Sequence, residues 1–247
     1  MTESNGPALA THDLVKTFGD ESAVDHLDLD VRHGEIHAVV GLNGAGKTTL
    51  MRLILGMLHP DSGSAEVLGV EAGHAPPTVW ARVGHLIETP FAYPELTVRE
   101  NLTAAVRLHG IDTEVAPVVD EQIRMFELGR WSDRRASHLS SGNRQRLGIA
   151  SATAHRPSVL ILDEPANALD PAGVVFMRDF LRSLAREGTA VLVSSHHLDE
   201  LARIADRITV LHRGRHVGGL HPGGVDLEKR FFDLVYEADV ELREKTG

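Results

Sequence analysis

One octapeptide constrains this chain more than anything else in it: Gly41-Leu-Asn-Gly-Ala-Gly-Lys47-Thr48. It follows the nearly all-apolar run Ile36-His-Ala-Val-Val40 and precedes an apolar-periodic stretch from Leu50 to Leu58. The first run reads as a strand covered on both faces and the second as a helix. The pattern between them, G-x-x-x-x-G-K-[ST], curls the backbone so that successive N–H groups point inward as a nest for phosphate oxygens. The start of the helix adds positive potential, and the lysine adds a point charge. Lys47 is therefore expected to bridge the β- and γ-phosphates of a nucleotide, and Thr48 to ligate Mg²⁺.

The surrounding sequence alternates strands and helices. Residues 27–31 (LDLDV) alternate apolar and acidic side chains, as a half-buried strand does. His59-Pro-Asp-Ser-Gly63 breaks the helix after the octapeptide. Residues 65–69 and 83–87 read as further strands, and 97–156 reads as helices only. Strands return at 159–163, 190–195 and 207–211, and residues 225–245 read as one or two short amphipathic helices. A helical insert inside a strand–helix alternation implies an α/β fold with a parallel-rich sheet.

Val159-Leu-Ile-Leu-Asp163-Glu164-Pro165 is an apolar strand ending in two carboxylates. Pro165 removes an N–H and is expected to hold Glu164 in an extended conformation. Both carboxylates can then meet at the mouth of the sheet, Asp163 in a Mg²⁺ shell and Glu164 orienting or deprotonating an attacking water. Leu139-Ser-Ser-Gly-Asn143 opens a helix that Ser140 can cap, leaving free N–H groups for an anion.

Composition narrows the function. The chain has 247 residues and a net charge of −10, which argues against broad nucleic-acid binding. It has no cysteine, so neither disulfides nor thiolate chemistry are available. No run of about 18 apolar residues offers a membrane helix. The first residues, MTESNGPALATHD, do not read as a signal peptide. The fifteen histidines lack the spacing of a metal site and read as solvated or locally bonded.

Together these motifs resemble the ATP-binding cassette (ABC) nucleotide-binding domain, over about residues 8–215. The resemblance implies a P-loop NTPase core: a RecA-like parallel-rich sheet with an N-terminal antiparallel β-subdomain and an inserted ABC α-helical subdomain. The core would be 1–87 and 158–217, the helical signature subdomain 88–157, and the C-terminal tail 218–247. It implies ATP contacts from Phe18, stacked on adenine, and from Gly41, Asn43, Gly44, Ala45, Gly46, Lys47, Thr48 and Thr49. Leu139–Asn143 matches the LSGGQ signature with two departures, Ser141 and Asn143. Ser140 and Gly142 would act on the ATP of a partner subunit, and Asn167-Ala-Leu-Asp170 would cross the interface. His196, rather than His197, matches the switch histidine that contacts the γ-phosphate. Glu88 stands where such domains usually carry a glutamine and would join Thr48 and Asp163 around Mg²⁺. Lys47, Glu164 and His196 would be catalytic. The implied partners are a second nucleotide-binding subunit, most simply in a homodimer, and transmembrane permease subunits docking near 88–110, with no nucleic acid. The protein would sit on the cytoplasmic face of the membrane through that permease. Glu88 and the following TPFAYPELTVRENL resemble exporters of bacitracin, lantibiotics and daunorubicin-like drugs. The competing expectation is a non-transport ABC ATPase of DNA repair or translation.

Overall fold

The computed structural model describes residues 6–90, 92–196 and 198–246. The chain opens with a β-hairpin, β1 (Leu9–Phe18) and β2 (Glu21–Val31), turning at Gly19 with φ 60°. The apolar run becomes β3 (Ile36–Val40), and the phosphate loop leads into α1 (Lys47–Ile54). Strands β4 (Ser62–Val67) and β5 (Val70–Glu71), the short α2 (Pro77–Trp80) and β6 (Val83–Leu86) follow.

Three helices come next: α3 (Val98–Leu108), α4 (Val115–Met125) and α5 (Ser141–Thr153). Thr97 and Glu100 cap α3 reciprocally, each side chain accepting from the other's backbone N–H at 3.2 and 2.7 Å. The chain then alternates through β7 (Val159–Asp163), α6 (Pro171–Arg186), β8 (Ala190–Ser195) and α7 (Leu198–Leu201). It finishes with the hairpin β9 (Arg207–His212) and β10 (Arg215–Leu220) and the long α8 (Leu227–Thr246).

Two sheets form. The antiparallel one has the order β2-β1-β4-β5, and the larger one β10-β9-β3-β8-β7-β6. In the larger sheet every neighbouring pair is parallel except β9–β10. Its central strands are buried on both faces, so alternate residues enter two separate cores. Ala38, Val40, Leu160, Leu162, Val191 and Val193 pack toward α5 and α6. Val39, Val159, Ile161, Ala190 and Leu192 pack toward α1 and the antiparallel sheet.

Two expectations need correction. His37 is buried, with Nδ1 2.8 Å from the Asp30 carbonyl and Nε2 2.8 Å from Thr209 Oγ1. It bridges β2 and β9, a reach beyond the solvated or locally bonded state expected of it. The tail forms one helix of 20 residues, because Leu227, Phe231, Leu234 and Val235 keep a single apolar face in register.

Candidate functional site

Parallel pairing brings three strand ends to one level. Val40 of β3 pairs with Ser195 of β8, and Asp163 of β7 pairs with Ser194. The phosphate loop, the paired carboxylates and the residues after β8 therefore emerge side by side at the carboxyl edge, where open α/β sheets bind ligands.

The loop is held from beneath. Gly46, at φ 101°, caps α1 without a side-chain acceptor, so the first N–H groups of the helix stay available. A Cβ on Gly46 would stand 2.2 Å from the Ala23 carbonyl of β2. The Gly214 N–H, in the turn between β9 and β10, donates to the Ala45 carbonyl at 3.0 Å. Lys47 is buried, its Nζ donating to the Gly41 carbonyl at 2.7 Å and to that of Leu42 at 3.3 Å. Burial lowers its pKa, and the charges of Glu164 and Asp163 oppose that shift.

Thr48 Oγ1 donates to Asp163 Oδ2 at 2.6 Å. Ser194 Oγ donates to the other oxygen of Asp163 and accepts from the Glu164 N–H at 3.1 Å. Glu164 has φ 50°, in the left-handed region, so the extended geometry expected before Pro165 is not found. The chain turns sharply there, the Asn167 N–H donating back to the Glu164 carbonyl at 3.1 Å. This turn carries the Glu164 carboxylate to His196, whose Nδ1 lies 2.8 Å from Oε2. His197, the alternative to His196, lies outside the described residues.

A cavity of about 370 Å³ gathers these groups: Phe18, Asn43 through Thr49, Asp163 and Glu164, with Glu21 and Ala23 of β2. Phe18 is half exposed at the end of β1, with Lys16 Nζ 5.7 Å from its ring centre. Among the described residues no three His, Cys, Asp or Glu side chains converge on a metal. The hard oxygens of Thr48 and Asp163 do fit Mg²⁺, which takes few protein ligands and shares its shell with substrate phosphates.

This chain matches the family model described as ABC transporter over residues 24–167. It belongs to the ABC transporter family, as an ATP-hydrolysing cassette. It is 39% identical over 208 residues to Bacitracin transport ATP-binding protein BcrA of Bacillus licheniformis, covering 84% of this chain and 67% of that protein. It is 39% identical to Daunorubicin resistance ATP-binding protein DrrA3 of Streptomyces coeruleorubidus, covering 84% and 66%. A solved ATP-binding subunit of an ABC transporter superposes with a TM-score of 0.81 at 30% identity, covering 96% of this chain and 99% of that one. A dimeric post-hydrolysis cassette bound to ADP and Pi shares the fold, with a TM-score of 0.80 at 22% identity, covering 87% and 99%.

Other expected site residues of the cassette lie away from the cavity. Glu88 does not line it; Arg52 of α1 donates to its carboxylate. The structure therefore does not bring Glu88 together with Thr48 and Asp163. Ser140 and Gly142 are also absent from its walls. Ser140 caps α5, accepting from the Asn143 N–H at 3.3 Å, and a Cβ on Gly142 would stand 2.7 Å from the Ala168 carbonyl. The signature thus abuts the 167–170 segment, and Arg146 Nη2 lies 3.5 Å from Asp170 Oδ1.

Sequence reasoning missed Ser194 and Gln145. Ser194 is fully buried, and a polar residue closing an otherwise apolar strand was the available signal. Gln145 is buried in α5 and donates to the Pro165 carbonyl at 3.0 Å, a partner with no trace in local sequence.

Proposed function

We propose that this cassette binds Mg-ATP in the phosphate-loop cavity and cleaves its β–γ bond with water. Phe18 stacks on the adenine. Backbone amides from Gly41 through Thr49, including those of Asn43, Gly44, Ala45 and Gly46, receive the phosphate oxygens, and Lys47 moves from its carbonyls to the β- and γ-phosphates. Thr48 and Asp163 hold Mg²⁺, which neutralises phosphate charge when bound. Glu164 orients and deprotonates the water, while His196 steadies the Glu164 carboxylate and reaches the γ-phosphate. Catalysis is positioning and electrostatics rather than covalent chemistry.

The observation that carries this reading is the Glu164–His196 contact at 2.8 Å beside the Thr48–Asp163 pair at 2.6 Å. These contacts gather two carboxylates, a threonine hydroxyl and the phosphate loop at one sheet edge, which supports a base, a metal seat and a phosphate nest there. Ser140 and Gly142 have no ligand role within a single chain, so they serve the ATP of a second copy, in a homodimer. The described residues form no helix long and apolar enough to cross a membrane. As in the family it belongs to, a separate permease docking near 88–110 links the cassette to the cytoplasmic face of the membrane. The bacitracin and daunorubicin names of its relatives support export of drugs or antimicrobial peptides. They favour transport over DNA repair or translation.

The test pairs two variants. Glu164→Gln is expected to bind Mg-ATP, hydrolyse it at least about a hundredfold more slowly and accumulate as a dimer in size-exclusion chromatography. Lys47→Ala is expected to lose ATP affinity in calorimetry. Wild-type turnover in either variant overturns the assigned site.

A further inference from the structure

The chemistry proposed above leaves α8 without a part, although its inward face is well defined. Phe231 and Val235 are buried, and Leu227 and Leu234 pack beside them. Helix α8 packs on α7, β9 and β10. Gly218 of β10 permits a close seat, since a Cβ there would stand 2.8 Å from Leu234 Cδ2. Further along, Asp239 lies 2.9 Å from His212 Nε2 and 3.2 Å from Arg213 Nη2, both on the β9 side. Apolar and polar contacts therefore fix the helix to the sheet along much of its length.

Helix α7 is in the opposite condition. It is a single turn, Leu198–Leu201, and a turn that short has no stability of its own. Its position must come from what packs on it. Leu201 is buried in the same apolar cluster as Phe231 and Val235, with Leu198 packed against that cluster. The segment begins just after His196, the residue in contact with Glu164. His196, Leu198 and Phe231 line one cavity of about 390 Å³, whose other wall is Gly41 and Leu42 of the phosphate loop.

We propose that Phe231 is a positioning residue: through Leu198 and Leu201 it braces α7, and so holds His196 against Glu164. The C-terminal helix thereby sets the turnover of a nucleotide cavity whose walls it does not form. Displacing a positioned group by a fraction of an ångström is enough to slow such a reaction. The proposal rests on the role given to His196, and the experiment separates the two.

Full-chain F231A, F231L, H196A and the F231A/H196A double variant are compared for kcat and KM with Mg-ATP, and for ATP affinity by calorimetry. F231A is expected to lower kcat about tenfold with KM and affinity within about twofold, and to keep the wild-type calorimetric stoichiometry, which a partly unfolded population would lower. F231L is expected to recover most of the rate. Against the residual turnover of H196A, the F231A change is expected to add nothing, because the brace then holds nothing. Unchanged kcat in F231A overturns the proposal, as does a parallel loss of affinity or a full repeat of the loss on the H196A background. An inactive H196A beside an active F231A sinks the brace alone, whereas a fully active H196A sinks the reading of the site. If F231A fails to melt cooperatively, V235A takes its place in the same comparison.

Discussion

Lys47 rests on two backbone carbonyls in a buried setting that disfavours its charge, with two carboxylates nearby that favour it. Such an ammonium gains by meeting phosphate, because it exchanges neutral acceptors for anionic ones. Glu88 is in a different position. Its ion pair with Arg52 leaves both side chains more than a third exposed, and exposed pairs contribute at most about 1 kcal/mol. Glu88→Gln is therefore expected to shift unfolding free energy by less than about 0.5 kcal/mol in a urea titration. A loss above about 2 kcal/mol would mean the carboxylate has a structural task that this pair does not explain.

At the scale of elements, α5 and β6 meet at Gly84 without a side chain between them. A Cβ on Gly84 would lie 2.0 Å from the Ala152 carbonyl and 3.1 Å from Leu160 Cδ1. The carbonyl belongs to α5, so relief would require the helix carrying the signature to tilt. Gly84→Ala is expected to cost about 1–3 kcal/mol in denaturant unfolding, and wild-type stability would contradict the close seat. The same elements show why some of the fold was legible. Strands β3 and β7 were read at their observed bounds, because burial on both faces leaves an unbroken apolar run. The first half of β2 received no bounds of its own, since Glu21-Ser-Ala-Val-Asp-His26 does not alternate. Strand β10 was missed because Gly218 and Gly219 dilute its pattern. The anion-binding loop and carboxylates were legible as local motifs. The left-handed turn at Glu164 was not, because its bonds to Ser194 come from a strand distant in sequence.

For the molecule as a whole, acid acts through imidazoles packed where helices meet the sheet. The His155 ring, after α5, stacks on that of His109, after α3, at 3.6 Å and 12°. Burial, then the charges of His109 and His85, push His155 from its ordinary 6.5 down to about 3. Burial also lowers His37. The folded state refuses protons that the unfolded chain accepts near pH 6.5, so this stability is whole above that pH and drains as pH falls toward 3. The melting temperature is expected to drop between pH 7 and pH 4.5, and His155→Phe to flatten part of that slope. Superimposable slopes for the two proteins would rule this source out.

The support beneath Gly46 carries a kinetic consequence. With the Ala23 carbonyl on one side and the hairpin turn at Gly214 on the other, the backbone of the receptacle is buttressed from two sides. Loading is then expected to ask a movement of the Lys47 side chain and little of the backbone, and to proceed at a pace set by encounter. The slow step of a working cycle is left to the larger bodies that must close over the loaded seat and part again.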